Sequence, residues 1–488
     1  MAQVNPDIDH LLRRAGFGVS AADVDIFSNM STRAAVDYLV DYEGRPDDVD
    51  ARIGRPDHAQ VDRPEHVFTP DIDIDDARLR WMFRMIHSRR PLQEKMALFW
   101  HNHFATGYSK LNVDSGQVQA AKMLAMKAGV LRGPQGQIEL FRQYALGSFR
   151  DLLVQVAKDP AMLIYLDGKT NTKAKPQENF GREIIELFTI GVDNYVETDV
   201  YAAARVFTGW NLQGSDNYRQ DEYGDLNQYQ EFVYNADQHE GSAKTFSFPI
   251  YSDGSKTIPS RNDGIQDGLD LITALALHPE WAKRLARKLW GFFVSEIQQP
   301  DPAFIDAVAN VYRQNGTEMR PVIRYILNSP WFNDPAARFA RYSWPSEFIV
   351  RSIKEVGWQN FDLDKARSPM AAMGQQLFEP PNVAGWPQGS NWFSTSTMLA
   401  RTNFAASLAS SQKQFLAVSV AQDATSPQGL MAKMLDRVTP APFDQAPQQA
   451  LMSYLTAAGA WTGSGEQLNT RASGLARLLI GSAEYQFV

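Results

Sequence analysis

The apolar residues of this chain recur mainly at the three-and-four spacing of an α-helix, and no other feature restricts its fold as much. In ENFGREIIELFTIG, Phe180, Ile184, Leu187 and Phe188 share one face. In HPEWAKRLARKLWGFFV, Trp281, Leu285, Leu289 and Phe292 do the same, and the basic face opposite reads as a solvated one. Start and stop signals flank these runs. Asn179 can cap the first helix and Gly191 suits the left-handed residue that ends it. Thr198 then caps a second helix, with Val200, Ala204 and Phe207 inward and Arg205 on the flank, which Gly209 closes. Ser20 caps a helix reaching about Leu39, Pro91 opens another, and Asp159-Pro160 breaks a third. The expected fold is mainly α: a compact multi-helix body with a small insertion containing a β-hairpin.

The polar stretches divide the chain. Residues 1–210 read as an N-terminal helical part and 261–488 as a C-terminal helical part, packed together as one body. Residues 211–260 are polar and aromatic and read as a β/loop insertion, where function commonly lies. Tyr42 to Ile74 reads as a long loop, and 439–447 as a Pro-rich linker.

At 488 residues the chain can bury a sizeable core. The net charge of −8, with no basic patch, excludes a general nucleic-acid binder. No apolar run approaches the length of a membrane span. The start, MAQVNPDIDHLLRRAGFG, has no charged-then-apolar leader, so the expectation is a cytoplasmic protein or a mature exported form. The absence of cysteine removes disulfides, thiolate zinc sites and cysteine nucleophiles. Chemistry must rest on carboxylates, histidines, hydroxyls, or a metal held by nitrogen and oxygen.

Candidates follow from that restriction. Glu183 borders an apolar face, where partial desolvation would suit an acid, base or ligand. Arg182 and Glu186 lie opposite, four apart and able to pair, and the turn between the two helices would bring Arg205 alongside. The structural alternative is a salt-bridge network that orients the helices. In FWHNHFATG, His101 and His103 are two apart, so on an unbroken helix they face opposite ways; only a break near Asn102 would let both grip one ion. His239 and Glu240 sit at the turn of QHEGSAKTF. In the loop PPNVAGWPQGSNW, Trp386 and Trp392 offer faces for stacking a sugar ring or simply fasten the loop, and Ser394 or Ser396 caps the following helix that carries Arg401.

HLLRRAGFG, FWHNHFATG, DPAMLIYLD, ENFGREIIELFTIGVDNY, AARVFTGW, the HEG-x-x-KTF turn and PPNVAGWPQGSNW together resemble one bacterial family, the domain of unknown function numbered 1800. The resemblance spans essentially the whole chain. His101, His103, Asn179, Arg182, Glu183, Glu186, His239 and Trp386 stand where the family pattern has them. Arg341 stands where a lysine would be expected. The resemblance implies no catalytic residue. It implies bacterial origin and frequent encoding beside a sulfatase-like family of exported proteins, which leans toward an exported protein and an extracytoplasmic polymer.

Three readings remain open. The first, toward which the residues lean, is a hydrolase-like enzyme acting on a glycan or similar polar polymer. Its acid/base site would be Glu183 with Glu186 or Asp199, supported by Arg182, Asn179 and Arg205. Trp210, His239, Trp386, Trp392 and Arg401 would bind substrate. The second is a metal-dependent hydrolase or oxidoreductase holding a divalent ion through His101 and His103 with Glu183 or His239. The third is a non-catalytic scaffold that partners the sulfatase-like neighbour.

Overall fold

Helix after helix follows from local capping chemistry. Ser20 and Asp23 form a reciprocal capping box on Ala21–Phe27, and Ser31 caps Thr32–Val40, so the single expected helix is two. Asp159 caps Pro160–Tyr165 with proline in its first turn, which separates it from Phe149–Lys158. The protein, seen in a computed structural model, has residues 4–61, 66–214, 228–457 and 459–488 described. Twenty-four α-helices and four short strands run through them. The fold class matches the helical periodicity. Within the expected insertion, residues 215–227 lie outside the described residues, as do 62–65 of the expected loop.

The strands make two antiparallel pairs. β1 (Trp210–Gly214) runs against β2 (Gln230–Tyr234) with Trp210 opposite Tyr234 and Gly214 opposite Gln230. β3 (Lys244–Thr245) pairs with β4 (Thr257–Ile258). The buried hydrophobic residues form one connected cluster from Ile8 to Tyr485.

The Pro91–His103 helix lies at the centre, with all thirteen residues buried. A helix buried on every side cannot hold charge unless each charge finds a partner. Glu94 takes the Arg84 Nε at 2.7 Å and the Arg142 Nε at 3.0 Å. Arg142 and Arg80 share Glu139 at 2.8 and 2.6 Å, and Arg80 reaches Asp50 at 2.9 Å. Next along the helix, Lys95 pairs with Glu347, which also takes both terminal nitrogens of Arg341 at 2.8 and 3.0 Å. Burial pushes the Glu347 carboxyl up, yet Arg341 and Lys95 outweigh it and hold the group down at about 2. At the far side of the core, Phe99 packs on Phe292 in the π-turn Trp290–Val294, which prolongs the Pro279–Leu289 helix.

Candidate functional site

The helix Pro91–His103 stays unbroken through His103, so its two histidines diverge. The His101 Nε2 accepts the backbone N–H of Phe378 at 3.2 Å, and its ring lies among Trp81, Phe378 and Trp386. The His103 Nε2 donates to the Phe188 carbonyl at 3.1 Å while its ring stacks on Trp281. These partners assign opposite tautomers. Burial lowers His101 to about 3, and burial, with Lys288 and Arg284 nearby, lowers His103 well below the ordinary value, so both are neutral. Between them, the Asn102 Oδ1 accepts the Trp386 N–H at 2.6 Å. Gly385, at φ +87°, packs so closely that a Cβ would stand 2.3 Å from the Asn102 carbonyl oxygen. Phe378 holds φ +62°, which costs a bulky residue about 1–2 kcal/mol. The FWHNHF and PPNVAGW signatures are therefore two halves of one joint.

The second signature pair is the Glu178–Glu186 and Glu197–Val206 helices. They cross at Gly181, where a Cβ would meet the Ala204 nitrogen at 2.8 Å. The caps differ from the sequence expectation. Asn179 lies inside the first helix and donates to Asp167 at 2.8 Å. The second helix starts at Glu197, and it is the Asp199 carboxylate that takes the Val196 N–H at 2.9 Å. Asp199 also takes the N–H and hydroxyl of Ser247, at 2.7 and 2.5 Å, which leaves it no role as a free base.

The charges on this pair separate. Arg182 reaches Glu197 at 2.5 Å and Glu178 at 3.4 Å rather than Glu186, which receives the Tyr195 hydroxyl. Arg205 turns away to Glu240 at 2.8 Å and to Ser242 and Ala243 of the HEG turn, so it does not join Glu183 and Glu186. From the supposedly solvated basic face of Pro279–Leu289, Arg284 donates to the carbonyls of Glu186, Leu187 and Thr189 at 2.6 to 2.9 Å, closing that helix's negative end. Glu183 differs. It is half-buried, and among the described residues its carboxylate meets no hydrogen-bond or ion-pair partner. Burial first, then the neighbouring Glu186, raise its pKa against the pull of Arg182.

In the HEG turn, Asp267, His239 and Thr208 fall in a row, an acid, an imidazole and a hydroxyl. The His239 Nδ1 donates to the Thr208 carbonyl at 2.9 Å and its Nε2 lies 3.3 Å from Asp267, the reverse of what a hydroxyl nucleophile needs. Thr208 is fully buried, donates to the Arg205 carbonyl at 2.7 Å and accepts the Glu240 N–H at 2.8 Å. Asp267 also holds Lys244 at 2.6 Å and Arg261 at 2.5 Å; burial pushes it up, and these bonds hold it below the usual carboxylate range. The row is a strut that ties the insertion to the Gly264–Leu277 helix.

The tryptophans are closed. Trp210, Trp386 and Trp392 are 1%, 3% and 2% exposed, and the Trp210 Nε1 donates to the Gly264 carbonyl at 2.9 Å. No sugar-stacking face is open on them. Arg401 is wholly buried, donating to Gln486 and to the Ser343 carbonyl at 3.0 and 2.9 Å between the rings of Phe348 and Phe393. Ser394, as expected, caps its helix. The sequence candidates thus lie in separate places, each with its own structural partners, Glu183 excepted.

Sequence reading missed Glu94, Asn102 and Asp267, which organise their surroundings. Their signals were a pair of adjacent charges, Glu94 and Lys95, ahead of an apolar helical run, an amide between two histidines, and an acid facing a basic turn. It also missed His66, Asp73 and Asp76, the group of imidazole and carboxylate donors that gathers within 4.8 Å among the described residues. Here the His66 Nε2 lies 2.8 Å from Asp76 while the Asp73 Oδ1 caps the helix Ile74–His87.

The model of a family described as "Protein of unknown function (DUF1800)" matches residues 10–487, so the chain belongs to that family. No curated protein and no solved structure matches it.

Proposed function

We propose that this family member works as a scaffold whose signature residues build a rigid helical platform for a partner protein. The observation that carries the reading is the fate of the three signature histidines. His101 holds the Phe378 N–H, His103 the Phe188 carbonyl, and His239 the Thr208 carbonyl, with its Nε2 3.3 Å from Asp267, in three separate buried places. A metal held by His101 and His103 draws no support, because the His101 Nε2 lone pair is spent on backbone and the rings face apart. The single core cluster supports reading 1–210 and 261–488 as one body with 211–260 inserted. The partner implied by the family's neighbourhood is the sulfatase-like exported protein. Mixing the two purified proteins at micromolar concentration should give a stoichiometric complex by size-exclusion chromatography with light scattering. Two unchanged peaks would end the reading.

One observation favours a second reading, acid/base chemistry on a glycan or similar polar polymer. Glu183 is the signature carboxylate with a raised pKa and no bonded partner among the described residues, as a general acid requires. Glu183→Gln should abolish turnover in a polysaccharide screen and leave stability within about 1 kcal/mol. Turnover that survives the substitution would remove Glu183 from any catalytic role.

A further inference from the structure

A cleft of about 120 Å³ opens between the Ile74–His87 helix, the Asp364–Ala372 helix and residues 375–377. A 150 Å³ cavity takes benzene, so this one admits a group of about four or five non-hydrogen atoms. Arg78 and Arg367 stand on its wall. One Asp75 oxygen accepts from both, at 2.8 and 2.6 Å, and Asp364 takes the other edge of Arg367 at 2.5 Å. Two guanidiniums against two carboxylates leave the wall electrically neutral. It remains rich in donors. The Arg78 Nε is committed to the Leu377 carbonyl at 2.9 Å, and the Gln376 amide oxygen, turned toward Arg78, accepts from both terminal nitrogens at 3.0 and 2.9 Å. Each terminal nitrogen carries two hydrogens, so the second ones on the Arg78 Nη2 and on both Arg367 terminal nitrogens have no bonded partner among the described residues. Met82, Met370 and Leu377 supply an apolar floor.

The position of this wall is enforced from behind. Phe378, in its left-handed conformation, has its N–H held by His101 and its carbonyl by the Tyr108 N–H at 2.8 Å, which aims the preceding residues into the cleft.

We propose that this cleft binds the acetamido group of an N-acetylated amino sugar. A neutral wall disfavours a charged guest, free N–H groups call for a carbonyl oxygen, and the thioether floor suits a methyl group. The exposed Ser368 and Gln376 at the mouth match ring hydroxyls better than the alkyl stem of an acetylated lysine. The inference does not rest on the scaffold reading, since sugar binding and complex formation are measured separately and either can fail alone.

The test is saturation-transfer NMR on the full chain with N-acetylglucosamine, glucose and Nε-acetyllysine as probes. Transfer should be strongest at the acetyl methyl of N-acetylglucosamine, with millimolar affinity expected for so small a group. Ala371→Trp, at an exposed position lining the cleft, should weaken binding at least tenfold with the melting temperature unchanged, and Ser368→Trp on the rim should repeat the result. Methyl transfer that is absent, matched by glucose, found only for acetyllysine, or undiminished in both tryptophan variants would overturn the proposal.

Discussion

Two helices carry family signatures and treat their charges in opposite ways. The Pro91–His103 helix is buried on every side, and its Glu94 and Lys95 are neutralised by Arg84, Arg142 and Glu347. Two of those partners lie 48 and 252 residues away. The Glu178–Glu186 helix is half open, and Arg182 and Glu186 find partners 4 to 15 residues away on the same surface. The same residue types therefore differ in consequence. In a dry interior an unpaired charge is intolerable and its partner decides whether the chain folds; at the surface water substitutes for either partner.

The largest expected difference comes from Glu94→Gln, which leaves Arg84 and Arg142 buried without their shared carboxylate. It should cost about 3–5 kcal/mol by denaturant unfolding. A loss under about 1 kcal/mol would break the contrast between the two helices.

Acid should act on the buried side next. His10, His101 and His87 are lowered from 6.5 to about 2, about 3 and about 3, chiefly by burial. Between those values and 6.5 the unfolded chain binds the extra protons, so stability falls as pH drops below about 6.5. Asp159 runs the other way. Burial raises it from 3.8 to about 7, so its contribution is present at low pH and is lost as pH rises through that window. Melting temperatures from pH 7 to 4 should decline overall, and Asp159→Asn should steepen the decline. A flat profile would show that the histidines are not buried neutral.

Gly385→Ala should follow, at about 2–3 kcal/mol, because its φ of +87° and the 2.3 Å approach to the Asn102 carbonyl both oppose a Cβ. Thermal denaturation measures this, and an unchanged midpoint would deny that the joint is tight. The smallest effect belongs to Arg182→Ala. Its guanidinium is one-third exposed, so loss of the Glu197 and Glu178 contacts should cost under about 1 kcal/mol, less still at high salt. A larger loss, measured the same way, would place this surface with the buried network.

Much of the architecture could be read in the chain. Periodicity located Phe180, Ile184 and Phe188 in the core, and Gly191 and Gly209 do adopt positive φ. Capping residues were less legible where a side chain had a stronger offer elsewhere. Asn179 bonds Asp167 instead of a helix end, and Asp199, three residues beyond the Val196 cap it serves, answers for Thr198. The site was the least legible. His101 looked like a ligand, but whether an imidazole offers its lone pair outward or to Phe378 depends on a chain segment 277 residues away.

By itself the sequence determined the helical class, helix starts such as those at Ser20, Pro91 and Ser394, the small hairpin insertion and the family, because these are encoded in short-range spacing and turn chemistry. Only the tertiary structure decided which charges are dry, which tryptophans are closed, and that the half-buried Glu183 meets no bonded partner among the described residues. Those outcomes are set by contacts between distant segments, and burial changes the free energy of a charged group far more than its identity in the sequence reveals.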